Sequence, residues 1–182
     1  MRCILGIALG GLMAVGLASA GESKYNLTGE NTTIEWTGYK PGDKHTGGFK
    51  KFKGTLTVDP AKMEDAKVNV EIETASLHSD NPALTGHLKS PDFFNVKKYP
   101  SAKFVSTKVA GDEKAFTLTG KLTMLGKTKE VELPVKVKSE DGVYTFTGET
   151  TIDRTEFGMT YGKGKVDDKV TLKITVKGKP KS

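Results

Sequence analysis

Residues 116–138 read FTLTGKLTMLGKTKEVELPVKVK. Phe116, Leu118, Gly120, Leu122 and Met124 alternate with Thr117, Thr119, Lys121 and Thr123, the period of two that belongs to a half-buried strand. After a turn at Gly126 the alternation resumes, with Val131, Leu133, Val135 and Val137 set against Glu130, Glu132, Lys136 and Lys138. Two such runs about a short glycine turn predict a β-hairpin. One face of it is apolar and the other charged, so it needs cover on one side only.

Working outward, the same pattern governs most of the chain. Asp141-Gly142 supplies a tight turn into Tyr144, Phe146, Gly148, Thr150 and Ile152, and a last strand carries Val170, Leu172, Ile174 and Val176. Upstream, a strand over residues 102–109 contains Phe104, and one over 66–76 carries Val68, Val70 and Ile72. A longer strand over 45–58 sets Phe52, Gly54, Leu56 and Val58 in step, with Gly47-Gly48 ahead of it marking a bulge or a close backbone approach. The first firm strand, residues 33–39, places Ile34, Trp36 and Gly38 on one face, after a polar start over 25–30.

About eight strands and no long amphipathic helix leave two solutions: a sheet stacked on a second sheet, or one closed on itself. The predicted class is all-β, a closed antiparallel barrel whose interior is filled by side chains or holds one small ligand. Gly38, Gly54, Gly120, Gly148 and Thr150 fall among the inward residues, and these small side chains predict room inside. An outer-membrane barrel would show the same alternation. It would also carry aromatic girdles at both rims, whereas the aromatics here sit in mid-strand, so a soluble barrel with an apolar lumen is expected.

The alternation stops once, at residues 81–104, NPALTGHLKSPDFFNVKKYPSAKF. Leu84, His87 and Leu88 fall at helical spacing; Asn81 can cap and Pro82 suits the first helical position. Ser90, preceding Pro91, should end the helix. A second turn then presents Phe93 and Phe94, so this segment reads as a short aromatic plug over one end of the barrel.

The chain opens MRCILGIALGGLMAVGLASA, with one positive charge, an apolar run and small residues at Ala18 and Ala20, the pattern of a secretory leader cleaved after Ala20. Residues 1–20 are therefore expected to be a signal peptide and 21–182 one exported domain. The single cysteine, Cys3, would leave with the leader, which excludes disulfides and thiol chemistry from the mature chain. Against 22 acidic side chains stand 28 basic ones, a formal net charge of +6. Most lysines are spaced singly along strands, as on a solvated face. An anionic membrane surface suits this exported charge as a transient partner, and nucleic acid does not.

Four blocks in order, IEWTGYKPGDKHTGGFKKFKG (34–54), HLKSPDFFNVKKYPSAKFVST (87–107), LTGKLTMLGKTKEV (118–131) and IDRTEFGM (152–159), resemble the YceI-like family of exported lipid-binding proteins. The resemblance implies a lipocalin-like barrel whose elongated pocket takes a long isoprenoid or related fatty amphiphile. It further implies a periplasmic location and, often, a homodimer. Family members commonly carry an Arg-Asp pair just before the second block; Leu84 and Thr85 stand there in this chain, which alters the expected contact to a ligand's polar end.

The inward faces nominate Trp36, Phe52, Leu56, Val70, Ile72, Leu88, Phe93, Phe94, Phe104, Phe116, Leu118, Leu122, Met124 and Phe146 as pocket lining, the alternative being that they only pack against one another. His45, His78 and His87 lack metal-site spacing, so no metal and no cofactor are expected. His87 is expected to orient the plug by a hydrogen bond. Asp153 and Arg154 read as a structural polar pair, with a lipid head-group contact as the alternative because guanidinium geometry suits phosphate. No Ser-His-Asp spacing, HExxH or GxSxG occurs, so non-catalytic carriage of a long-chain lipid is favoured over an enzyme acting on a lipidic substrate. A filled barrel serving in stress or surface interaction is the remaining alternative.

Overall fold

The structure, a computed structural model, describes residues 22–59 and 62–179, so the expected leader lies outside the described residues. Eleven strands form one sheet. They are β1 (Ser23–Leu27), β2 (Thr32–Lys40), β3 (Asp43–Phe49), β4 (Phe52–Val58), β5 (Lys67–Glu73), β6 (Leu77–Ser79), β7 (Ser101–Gly111), β8 (Ala115–Met124), β9 (Lys127–Glu140), β10 (Val143–Asp153) and β11 (Lys169–Gly178). Among the described residues the one α-helix, α1 (Pro82–Leu88), lies between β6 and β7. The strand order is β1-β4-β5-β7-β8-β9-β10-β11-β2-β3-β6, and every ladder in it is antiparallel.

The count exceeds the expected eight because two long strands are bent. The run over 45–58 breaks at Lys50-Lys51 into β3 and β4, and β5 continues through a 3-10 turn, Thr74–Ser76, into β6. The two bends lie side by side: the Lys50 N–H donates to the Ser76 carbonyl (3.3 Å), the Glu73 N–H to the Lys51 carbonyl (3.0 Å), and the Lys51 N–H to Ser76 Oγ (3.0 Å). On one side of this corner β3 pairs with β2; on the other β4 pairs with β5, and β5 with β7. Followed through the bends, the ladder runs from β2 around the wall to β11 and back to β2, so the sheet closes on itself. The extra strand, β1, was expected to be a polar start. It pairs with β4 from Ser23↔Val58 to Leu27↔Gly54, and Tyr25 and Leu27 are buried.

Two hairpin turns set the register. Leu125-Gly126 has φ of 53° and 75°, and Asp141-Gly142 has 51° and 74°; paired positive φ gives the turn twist that matches twisted strands. These turns hold Met124 opposite Lys127 and Val143 opposite Glu140. Every inward side chain of β8, β9 and β10 follows from that register.

The core divides along the barrel axis. At one end Tyr25, Leu27, Met63, Val109, Phe116 and Phe146 pack together, with the Tyr25 and Phe146 rings edge-on at 5.9 Å, and close the barrel. Toward the other end the buried set is Ile72, Leu122, Met124, Ile152, Phe157 and Met159. Fully burying a side chain such as Phe157, 1% exposed, contributes about 1.5–3 kcal/mol.

The glycines do not all make space. A Cβ on Gly120 would strike the Phe104 ring, and one on Gly148 would lie 2.8 Å from Leu133 Cγ. Gly54 is likewise filled by Val70 and neighbouring backbone. A missing side chain in a twisted barrel lets a neighbour's bulk lean across it, so part of the predicted room is occupied by the wall itself.

Candidate functional site

The plug forms as its residues dictate. Asn81 Oδ1 accepts from the Ala83 and Leu84 N–H groups (2.9 and 3.1 Å), satisfying donors that a first helical turn leaves free. Pro82 opens the helix, which ends at Leu88. Thr85 Oγ1 accepts from the Ser79 N–H (2.9 Å), tying the helix to β6. The chain then turns at Ser90, whose carbonyl accepts from the Phe93 N–H (3.1 Å), and Phe93 is buried against the barrel mouth.

Beneath the plug lies a lumen in two lobes. The upper, of about 320 Å³, is lined by Trp36, Ile72, Leu88, Phe93, Phe94, Leu122 and Met124 among the nominated residues. The lower, of about 150 Å³, is lined by Leu56, Val70, Ile72, Phe104, Phe116, Leu118, Leu122 and Phe146. Ile34, Ile72, Leu122 and Leu172 border both lobes and form the waist between them. Phe52 stands opposite Ile72 in the β4–β5 ladder and packs against the mouth-side core, but it borders neither lobe and lines grooves beside the Lys50-Lys51 bend.

Sequence reasoning missed other lining residues. Ile34 and Leu172 sit on correctly read strand faces and could have been named from them. Met159 and Val166, which also line the upper lobe, come from residues 158–168, an irregular stretch with no period to read. Leu84, at one of the two positions that depart from the resembled pattern, lines the upper lobe, while Thr85 is used in the helix anchor. An apolar and a structural side chain thus stand where a charged pair was expected.

The polar groups of the site gather at the mouth, where Tyr39, Lys40, His45 and Arg154 border the upper lobe. The lower lobe is lined by hydrocarbon apart from Thr32, Gly148 and Thr150. Trp36 carries a buried indole N–H with no hydrogen-bond partner among the described residues.

Asp153 and Arg154 do not pair with each other. Asp153 Oδ1 caps the following turn by accepting from the Thr155 N–H (2.9 Å) and hydroxyl, and Oδ2 faces Lys169 Nζ at 3.4 Å. Those hydrogen bonds, chiefly from the Thr155 hydroxyl, hold its carboxyl below the ordinary aspartate value. Arg154 is buried and turns the other way: Nε donates to the Asp167 carbonyl (2.9 Å), Nη1 to the Met159 and Tyr161 carbonyls, and Nη2 to the Val166 carbonyl (3.2 Å) and Asp168 Oδ1 (3.1 Å). A guanidinium has five N–H donors. All five are engaged, so Arg154 shapes residues 154–168 and has none left for a phosphate.

His87 Nε2 lies 2.9 Å from Asp92 Oδ2, and its ring meets those of Phe93 and Tyr161 at 5.1 and 4.9 Å. These contacts join the plug to the loop that Arg154 organises. His45 Nδ1 lies 3.0 Å from Asp80 Oδ1. His78 sits on the outer wall, its Nδ1 buried without a partner among the described residues.

A closed antiparallel barrel with an apolar two-lobed lumen and an aromatic plug can be set beside known proteins. The YceI-like domain model matches residues 25–178. The chain belongs to the YceI-like family. A UPF0312 protein of Pseudomonas putida (strain GB-1) is 38% identical over 182 residues, covering 94% of each chain, and one from Pectobacterium carotovorum is 35% identical over 179 residues, covering 92% and 91%. Among solved structures, Burkholderia cenocepacia BcnA matches with a TM-score of 0.76 at 29% identity, over 81% of this chain and 96% of that one. A polyisoprenoid binding domain from Saccharophagus degradans, 10% identical, matches with a TM-score of 0.66 over 88% and 100%, a likeness of fold. YceI-like architecture therefore accounts for the whole described barrel.

Proposed function

We propose that this YceI-like chain is a non-catalytic carrier that holds one long-chain lipid, a polyisoprenoid or related amphiphile, inside its barrel, and that it works in the periplasm after loss of residues 1–20. The observation that carries this reading is the pair of adjoining apolar lobes, one under Phe93 and one reaching Phe146, that share Ile34, Ile72, Leu122 and Leu172. Its larger lobe falls at the low end of the 300–1,000 Å³ range of small-molecule sites. Each CH₂ taken from water into such a lumen contributes about 0.8 kcal/mol before ordering costs, so a long tail needs few polar contacts. The name of the Saccharophagus degradans domain supports the same ligand class.

Catalysis would need a nucleophile, a base and a group orienting it at one place. At this mouth Arg154 is spent on backbone carbonyls, and His87 holds Asp92 on the plug's outer side. Native mass spectrometry with lipid extraction on the exported protein tests the proposal. One co-purifying long-chain lipid per chain supports it; an empty barrel that turns over a labelled ester or prenyl diphosphate replaces it with the enzymatic reading.

A further inference from the structure

The closed end mixes charges: Glu64, Asp65, Asp112, Glu113, Glu140 and Asp141 in and beside its turns stand among Lys62, Lys67, Lys114, Lys138, Lys177 and Lys179. At the mouth Asp43 pairs with Lys40 (3.2 Å) and Asp168 with Arg154 (3.1 Å), while Asp80 and Asp92 lie against His45 (3.0 Å) and His87 (2.9 Å). Asp167 accepts from the Lys169 N–H (3.0 Å). Lys44, Lys163 and Lys165 are exposed and enter none of the ion pairs found among the described residues. The mouth therefore presents exposed lysines that are in no ion pair among the described residues.

The same end presents aromatic surface. Of the exposed large hydrophobic residues, Tyr39 (38%) and Tyr161 (49%) are at the mouth, while Val105 (46%) is on the outer wall of β7. The Tyr161 ring lies against His87 and Phe93. The Tyr39 carbonyl accepts from the Asp167 N–H (2.9 Å), which brings the β2–β3 hairpin beside the loop bearing Lys163 and Lys165. Helix α1 adds Pro82, Ala83 and Gly86, exposed and uncharged. Tyrosines favour a boundary where one side is apolar and the other wet, and lysines near an anionic leaflet are drawn to it.

We propose that the mouth end is a docking surface for an anionic phospholipid membrane, so that the lumen opens toward the membrane from which its ligand enters or to which it leaves. This rests on the lipid-carrier reading, and names the surface from which that ligand is exchanged. The exposed lysines and tyrosines gathered at one end supply the orientation: near an anionic leaflet the mouth is attracted, within a screening length of about 10 Å at 0.1 M salt.

The test is sedimentation of the purified mature chain with phosphatidylcholine vesicles, with and without phosphatidylglycerol, at low and high salt. Association is expected only with the anionic vesicles, falling as salt rises, and the exposed double variant Lys163→Glu/Lys165→Glu should lower partitioning by about tenfold or more. Native mass spectrometry of both proteins loaded from detergent with a long-chain amphiphile should show equal occupancy. Vesicle binding equal in the double variant, or equal on neutral vesicles, overturns the docking surface. So does a dimer that the double variant abolishes with no vesicle binding, since a second copy then occupies this face. Sedimentation alone reports docking and detergent loading alone reports lipid carriage, so the two readings fail separately.

Discussion

The rings of His87 and Tyr161 meet edge to face, 4.9 Å between centroids and 80° between planes. Through this contact helix α1 is joined to residues 158–168 across the barrel mouth, and Phe93 fills the angle between them at 5.1 and 5.4 Å. Edge-to-face pairs of this kind contribute about 0.5–1.5 kcal/mol beyond area burial. The mouth is therefore held by contacts weak enough to open. Tyr161→Ala should speed release of a fluorescent fatty amphiphile by about threefold to tenfold in stopped-flow measurements while leaving the unfolding midpoint nearly unchanged. Unchanged release would show that the ligand leaves by another route.

The waist formed by Ile34, Ile72, Leu122 and Leu172 sets how far a chain can enter. Leu122→Trp should fill it at an overpacking cost of about 1–3 kcal/mol. Amphiphiles short enough for the upper lobe should still bind, and long ones should bind more weakly. Equal weakening across a chain-length series in a competition assay would mean that the two lobes do not act as one tunnel.

Arg154 is a structural centre at the rim. Its loss leaves four backbone carbonyls without their donor in a buried setting, so Arg154→Ala should cost about 3–5 kcal/mol in urea unfolding. Arg154→Lys should recover only part of that, since an ammonium offers three donors from one point in place of a planar fork. Full recovery by lysine would indicate that charge rather than the fork holds residues 154–168.

The barrel was legible where period and register are local. Phe116 to Met124 and Val131 to Val137 alternate without interruption, and the glycine turns between strands fix which residues oppose. Asn81, Pro82 and Ser90 likewise mark the plug, because capping depends on immediate neighbours. The break of the 45–58 run at Lys50-Lys51 was not legible because it is imposed by the corner shared with Ser76, a contact 25 residues away in sequence. The Asp153–Arg154 pairing failed because the strand ends at Asp153 and Arg154 opens the 3-10 turn that follows, and their ionic partners, Lys169 and Asp168, come from the next strand and the loop before it. Gly120 reads as space only until Phe104, set beside it by the β7–β8 ladder, is seen to lie over it.

Asp153 gives the fold an acid limit. Thr155 and Lys169 stabilise its ionised form in the folded chain, so its folded pKa lies below its unfolded one. The stabilisation is present above the unfolded value, near pH 4, and is lost as pH falls through the lowered folded value. Asp153→Asn should lower stability at neutral pH and flatten the fall in urea midpoint between about pH 5 and pH 2. An unaltered pH profile would assign the acid sensitivity to other lowered carboxyls such as Asp80 and Asp112.

Trp36 is the chain's single tryptophan, and it lines the upper lobe. Titration with a long-chain amphiphile brominated along its tail, read by tryptophan emission, therefore reports occupancy of the lumen itself. The lipid-carrier reading predicts saturable quenching that ends at one ligand per chain and is abolished by an unbrominated competitor. Binding of the amphiphile without quenching, or no binding at all, would contradict it.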